Sequence, residues 1–392
     1  MLCRRIRLSK TSHLTLTFSL LALLAVVALQ FDLRVVDAQR RSNASRSNKT
    51  TAAKPSPTPF RIVTGMGEPP PIPIYKPKKV QEEVVQPGDV VSIETTEVMT
   101  PVTVRDSDGR LVSELKREDF RVFEDNKEQS LSDLALRQVP VDVVLMVDAS
   151  SSVAKNLDDF RRAAEGFAGR LAAEDRISLI KFDDRVELLQ DWTRSRYQLH
   201  RALGRVEAGM FTRFHDALIL ASREQFGQTK SRRAVIVLTD GIDSGRSSTT
   251  LRLALEALLK SQVTVYVISN TEISRAAKKA ELDELMSSGS SSVHFNQLRI
   301  DDLRRGLQIL DLSEQNLADL TAATGGRLYK PQTFDALDST YAEVADELRH
   351  QYALYYTPLD KARDGRFRRV EVETKNPAFK ATTRIGYFAP RS

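Results

Sequence analysis

Between residues 141 and 268 one pattern recurs: a short run of β-branched and aliphatic residues, a polar turn, then an amphipathic stretch of helix length. The apolar run 143–147 reads as a strand buried on both faces. The stretch 154–173 carries Phe160, Ala163, Ala164, Phe167 and Leu171 on one face, the spacing of a core-facing helix. A second strand is predicted over 176–182, a turn at Asp183-Asp184, and an antiparallel edge strand over 185–189. Helices follow over 195–206 and 216–225, a buried strand over 234–238, a helix over 251–261 and a strand over 263–268. Strands alternating with helices predict an α/β fold with a doubly wound, mostly parallel sheet.

The pattern then loosens. Residues 270–311 hold a charged helical stretch (272–286), a Ser/Gly run (287–292) and an amphipathic stretch (300–310), expected to be an insertion near the top of the sheet. A helix over 317–324 stops at Gly325-Gly326, a good C-terminal signal. Residues 327–330 are the expected last strand, and 334–351 a helix with Leu337, Tyr341, Val344 and Leu348 on one face.

Both flanks read as β. On the N-terminal side, 90–98 alternates, 102–105 runs into the turn Asp106-Ser107-Asp108-Gly109, and 120–124 and 130–137 are further strands. On the C-terminal side, 352–357, 367–373 and 381–388 are strand-like, with turns at Asp364-Gly365 and Asn376-Pro377. These segments are expected to pair into one smaller, sandwich-like β-rich accessory domain; two separate small sheets are the alternative. The expected organisation is therefore a signal at 1–38, a Pro/Ser-rich linker at 39–79, a β segment at 80–140, the α/β domain at 141–351 and a β segment at 352–392.

Composition changes this picture little. In 392 residues, 41% hydrophobic content is enough for a substantial core. The net charge of +6 owes much to the first sixty residues, so no nucleic-acid-binding patch is read from it. The N-terminus resembles an export signal: Arg4, Arg5, Arg7 and Lys10 precede an apolar run at 14–29, and Val36-Asp37-Ala38 resembles a cleavage site. A secreted, periplasmic or cell-surface location is expected; without cleavage, 14–29 would remain as a single membrane anchor. Cys3 is the sole cysteine, so the folded part has no disulfide. The sequons at Asn43 and Asn48 fall in a Ser/Asn-rich linker, whose composition accounts for them.

The chemistry gathers on three loops. Asp148-Ala149-Ser150-Ser151-Ser152 ends the first buried strand and puts three side-chain oxygens on one turn. In open α/β sheets, that end of a strand is where ligands bind. Thr212 stands just before a helix, with Asp216 four residues on, and Asp240 of Thr239-Asp240-Gly241 ends another strand. Three hydroxyls and two carboxylates suit a hard divalent cation, which takes oxygen ligands.

With these motifs in order, residues 141–351 resemble a von Willebrand factor type A domain with a metal-ion-dependent adhesion site. The flanking β segments also resemble a bacterial exported subgroup of such proteins. The resemblance implies a metal set of Asp148, Ser150, Ser152, Thr212 and Asp240. Ser150, Ser152 and Thr212 would ligate directly, and Asp148 and Asp240 mainly through water. The implied cofactor is Mg²⁺ (or Mn²⁺ or Ca²⁺), and the implied partner is a protein offering Asp or Glu. Phe211, Phe214 and Asp243 are candidates for the rim such a partner touches. The usual Gly-Gly-Thr of the second loop is Met210-Phe211-Thr212 here, and Ser151 replaces a common glycine; neither change removes an oxygen.

The expected function is thus a non-enzymatic binding module. One alternative is a scaffold with a vacant site, in which Ser150 and Ser152 only cap the helix that follows. The other is a metal-dependent hydrolase, with His215 beside Asp216 as the nearest base; no Gly-x-Ser-x-Gly elbow or phosphate-binding Gly-x-x-x-x-Gly-Lys loop accompanies it.

Overall fold

The computed structural model describes residues 97–391, apart from 137–138, 152, 227–230, 245–246 and 288–293. The signal and apolar run at 1–38, the 39–79 linker with its sequons, most of the 90–98 strand, Ser152 and most of the 287–292 run lie outside the described residues. Among the described residues no helix is long and apolar enough to cross a membrane.

The chain enters through β1 (Val98–Arg105), β2 (Phe120–Glu124), β3 (Lys127–Gln129) and β4 (Leu131–Leu136). Asp125 and Asn126 turn β2 into β3 with positive φ (48° and 65°), a conformation short polar side chains tolerate. The α/β unit begins with β5 (Val141–Asp148), every residue of which is buried. Its alternate side chains feed two cores: Val143, Leu145 and Val147 on one face, Val144 and Met146 on the other. Next come α1 (Leu157–Ala168), β6 (Arg176–Phe182), β7 (Val186–Thr193), α2 (Arg196–Leu203), α3 (Phe214–Leu220), β8 (Arg232–Thr239), α4 (Leu251–Lys260) and β9 (Thr264–Ser269).

The sheet runs β10-β9-β8-β5-β6-β7, where β10 is Leu328–Tyr329. All its pairings are parallel except β6–β7, which makes β7 an antiparallel edge. Helix α1 buries Phe160, Ala163, Ala164 and Phe167 against one face, α3 and α4 cover the other, and β5 sits at the centre. The α/β fold with a doubly wound, mostly parallel sheet is what the molecule has.

The region beyond β9 differs from the sequence expectation. Two helices, α5 (Thr271–Ser287) and α6 (Gln297–Thr324), form a hairpin, and α6 runs unbroken through the position where the insertion was expected to end. The polar stretch at 311–316 does not interrupt it because neighbours engage its side chains. The Ser313 hydroxyl donates to the Asp240 carbonyl, and Glu314 accepts from Arg275 and Lys330 (both 2.7 Å). The buried positions Leu303, Leu310, Ser313, Leu317 and Leu320 keep helical spacing throughout. Gly325 ends the helix at φ 77°.

After β10, α7 (Leu337–Arg349) packs on α1, with Phe167 and Tyr341 rings 5.8 Å apart. The chain then enters β11 (Tyr352–Tyr356), β12 (Phe367–Thr374), β13 (Lys380–Thr382) and β14 (Gly386–Phe388). The stretch expected as one strand over 381–388 is two short ones, in different sheets. These sheets are β13-β1-β11-β4 and β14-β12-β2-β3, so each interleaves strands from both ends of the described chain. Their shared core holds Val102, Val104, Phe120, Val122, Tyr352, Leu354, Tyr356 and Val370. Glu124, buried within it, accepts hydrogen bonds from the Tyr356 and Tyr387 hydroxyls (both 2.9 Å).

Candidate metal centre

Three strand-end loops meet above β5 and β8. The first is fixed at its root by Asp148, which is wholly buried. One carboxylate oxygen accepts from the Ser150 amide (2.9 Å) and the other from the Thr239 hydroxyl on the neighbouring strand (2.6 Å). The second loop is tied to the first: the Gly209 amide donates to the Ala149 carbonyl (2.8 Å), and the Ser151 hydroxyl to the Met210 carbonyl (3.3 Å). It is tied to the third by a reciprocal pair, Thr212 amide to Ser244 hydroxyl (3.0 Å) and Ser244 amide to Thr212 carbonyl (3.1 Å). A Cβ at Gly209 would lie 2.6 Å from carboxylate oxygens of Asp183 and Asp184, so a side chain there would have to push these carboxylates aside. Gly241, at φ 72°, turns the third loop, and a Cβ there would meet Leu317 and Ser313 at 2.7 Å.

Ser150, Thr212 and Asp240 therefore line one cleft, of about 490 Å³, with Asp148 beneath it. Burial, and after it the charge of Asp240, pushes the Asp148 carboxyl up to about 7; the Thr239 and Ser150 donors pull the other way. A buried carboxyl whose proton affinity is raised by a neighbouring acid is one that a cation stabilises in its ionised form. Among the described residues no group of three or more His, Cys, Asp and Glu side chains could hold a metal. Here the donors are two carboxylates with Ser150 and Thr212 hydroxyls, an all-oxygen set that fits a hard divalent ion. Ser152, the remaining expected ligand, lies outside the described residues.

The expected rim needs correction. Phe214 is 1% exposed and packs on Phe182, with ring centroids 5.8 Å apart; as the first residue of α3 it points into the core and cannot touch a partner. Asp243 is turned to α3, accepting from the His215 amide (3.2 Å) and the Ser247 hydroxyl, so it braces the loop. Phe211 is half-buried, and the side chain that stands out is Met210, 72% exposed. Asp216 does not join the cleft lining. It accepts from the Ser248 and Thr249 amides (2.9 and 3.1 Å), pairs with Arg213 (2.8 Å), and so holds the third loop onto α3. Sequence reading did not single out Ser244, Ser313 or Gly209 as supports; the Gly209 signal was legible as a glycine opposite an acidic doublet, but only once the two loops are known to meet.

Residues 143–242 match the family model of the von Willebrand factor type A domain. No curated protein matches the chain. Among solved structures, proximal thread matrix protein 1 from the mussel byssus is similar at 16% identity and a TM-score of 0.41, over 58% of this chain and 51% of that one. The chain thus spans about half the length of that protein, which has also been solved with a zinc-occupied MIDAS motif. BatB from Bacteroides thetaiotaomicron is similar at 16% identity and a TM-score of 0.36, over 53% of this chain and 99% of that one. A von Willebrand factor type A protein from Catenulispora acidiphila is similar at 11% identity and 0.42, over 75% and 72%.

Proposed function

Residues 143–242 being part of a von Willebrand factor type A domain, we propose that the cleft above β5 and β8 holds a divalent cation, Mg²⁺ or Mn²⁺ (or Ca²⁺), and through it captures an Asp or Glu of a protein partner. The observation that carries this reading is the buried Asp148–Asp240 pair beside the Ser150 and Thr212 hydroxyls, on loops tied together by backbone hydrogen bonds. Ser150, Ser152 and Thr212 would ligate directly, with Asp148 and Asp240 acting mainly through water. Both Asp148 oxygens already accept bonds from Ser150 and Thr239, which suits an orienting role. Bound there, a cation with neutral nearest ligands supplies an electrophilic position for an outside carboxylate oxygen.

Binding is favoured over hydrolysis because, among the described residues, the cleft lining includes no histidine; His215, on α3, is not part of it. The setting we propose is extracytoplasmic, as the N-terminal run at 14–29 suggests.

Calorimetric titration with Mg²⁺ and Mn²⁺ tests the reading. The wild-type protein should give saturable heat, and Asp148→Ala and Thr212→Ala should each weaken binding at least about tenfold, the loss of one charge-assisted contact. Equal heats in the three proteins would refute it.

A further inference from the structure

The cleft has a second wall, which the loops do not provide. Helix α5 lines it with Ser274, Ala277, Lys278 and Glu281, residues three or four apart and so on one side of a helix. Ser274 and Ala277 are small and leave the space open. Across from them, Met210 and Ile242 offer apolar surface at the mouth, and Leu310 of α6 closes the back.

The charges on this wall are sorted. Glu281 is held by two bonds from Arg299 of α6 (2.6 and 2.7 Å), which offsets its charge. Lys278 is half-buried and lies across Gly306 in the middle of α6, where a Cβ would come within 3.3–3.4 Å of its Cδ, Cε and Nζ. A glycine inside a helix costs about 1 kcal/mol relative to alanine. Here it provides the shallow saddle in which the lysine stem rests. Lys278 thus brings a positive charge to this wall, near enough to Glu281 to lower that carboxyl together with Arg299, so the three groups leave one positive charge in excess.

Resting on the function proposed above, we infer that the occupant is a peptide segment bearing two carboxylates. One is directed at the Ser150/Thr212/Asp240 loops and the other at the Lys278 ammonium, with apolar atoms between them against Met210 and Ile242. Charge complementarity selects this occupant: Lys278 and Arg299 together outweigh Glu281 by one positive charge, which a second carboxylate would balance, whereas a basic segment meets that excess with like charge. The hairpin also makes the site a cleft instead of an open face, which suits a narrow loop or chain end.

The test uses dye-labelled, end-capped Gly/Leu peptides carrying either one Glu or two Glu separated by one to four residues. Anisotropy is read with Mg²⁺ and with EDTA, on the wild-type protein and on Lys278→Met, which keeps the stem and helix propensity; circular dichroism checks its fold. The best two-Glu peptide should bind the wild-type protein about tenfold more tightly than the one-Glu peptide, in Mg²⁺ only. Lys278→Met should erase that preference, so that the one-Glu and two-Glu peptides bind it alike in Mg²⁺. Metal-dependent binding with no two-Glu preference, or a preference that survives Lys278→Met, overturns the inference and leaves the metal reading standing. Binding indifferent to EDTA, or none at all, overturns both.

Discussion

Asp148 shows how one side chain reports on a whole site. It is buried on a strand end, beside a second acid, and its carboxyl is raised to about 7. Its unfolded value is near 3.9. Between those values the native state holds the extra proton, so without metal the unfolding free energy falls as pH rises from about 4 to about 7, by up to a few kcal/mol. Below that window both states are protonated and above it both are ionised, so the slope vanishes. Denaturant titrations in EDTA should show this slope in the wild-type protein and lose it in Asp148→Asn. A bound cation must displace the proton, so Mg²⁺ affinity should rise across the same window. Gly241 is a second reporter. At φ 72°, with Leu317 and Ser313 at 2.7 Å from where a Cβ would stand, Gly241→Ala should cost about 1–3 kcal/mol or more in thermal or denaturant unfolding. Single residues are also where sequence reading fell short. Phe214 is legible as an aromatic near a loop, but whether it faces solvent depends on the phase of α3 against the sheet face that carries Phe182.

At the scale of elements, the long buried strands were the most legible. The run 141–148 is apolar on both faces because it is central, and 176–182 ends at the acidic turn that reverses it. The short strands were not: β10 has two residues and β13 and β14 three each, too few to show an alternation. Helix α6 looks like two pieces in the sequence because polar residues at 311–316 resemble a break when their partners on α5, on Lys330 just after β10 and on the third loop are unknown. The helix has two environments. Leu317 is buried in the sheet core and Leu312 is 64% exposed. Leu317→Ala should therefore cost about 2–5 kcal/mol, and Leu312→Ala should stay within about 0.5 kcal/mol. Comparable losses at both sites, read from unfolding midpoints, would contradict the environments described here.

At the scale of the molecule, the sandwich and the α/β unit are joined by Glu347 of α7. Its buried carboxylate pairs with Arg105 of β1 and accepts from the Tyr329 hydroxyl of β10 (2.8 Å). Removing one partner of a buried ion pair costs about 3–5 kcal/mol. Glu347→Ala should destabilise the protein by that order and leave Mg²⁺ affinity unchanged, since α7 does not line the cleft. A split of thermal unfolding into two transitions in this variant would show that the carboxylate is what makes the layers melt together.

The interleaved sheets constrain how the chain can be made. Strand β1 pairs with β11 and β13, and β2 with β12, so Val102 has no partner until Tyr352 has been synthesised. During vectorial emergence, from a ribosome or through an export pore, the β2–β3 hairpin can form at once, but β1, β4 and the free side of β2 wait as open edges while the entire α/β unit is assembled. Such edges invite pairing with other chains, and pairings so distant in sequence close slowly. The sandwich is thus completed after the α/β unit, and yield in the cell should depend on how well those early strands are shielded until residues 352–388 arrive.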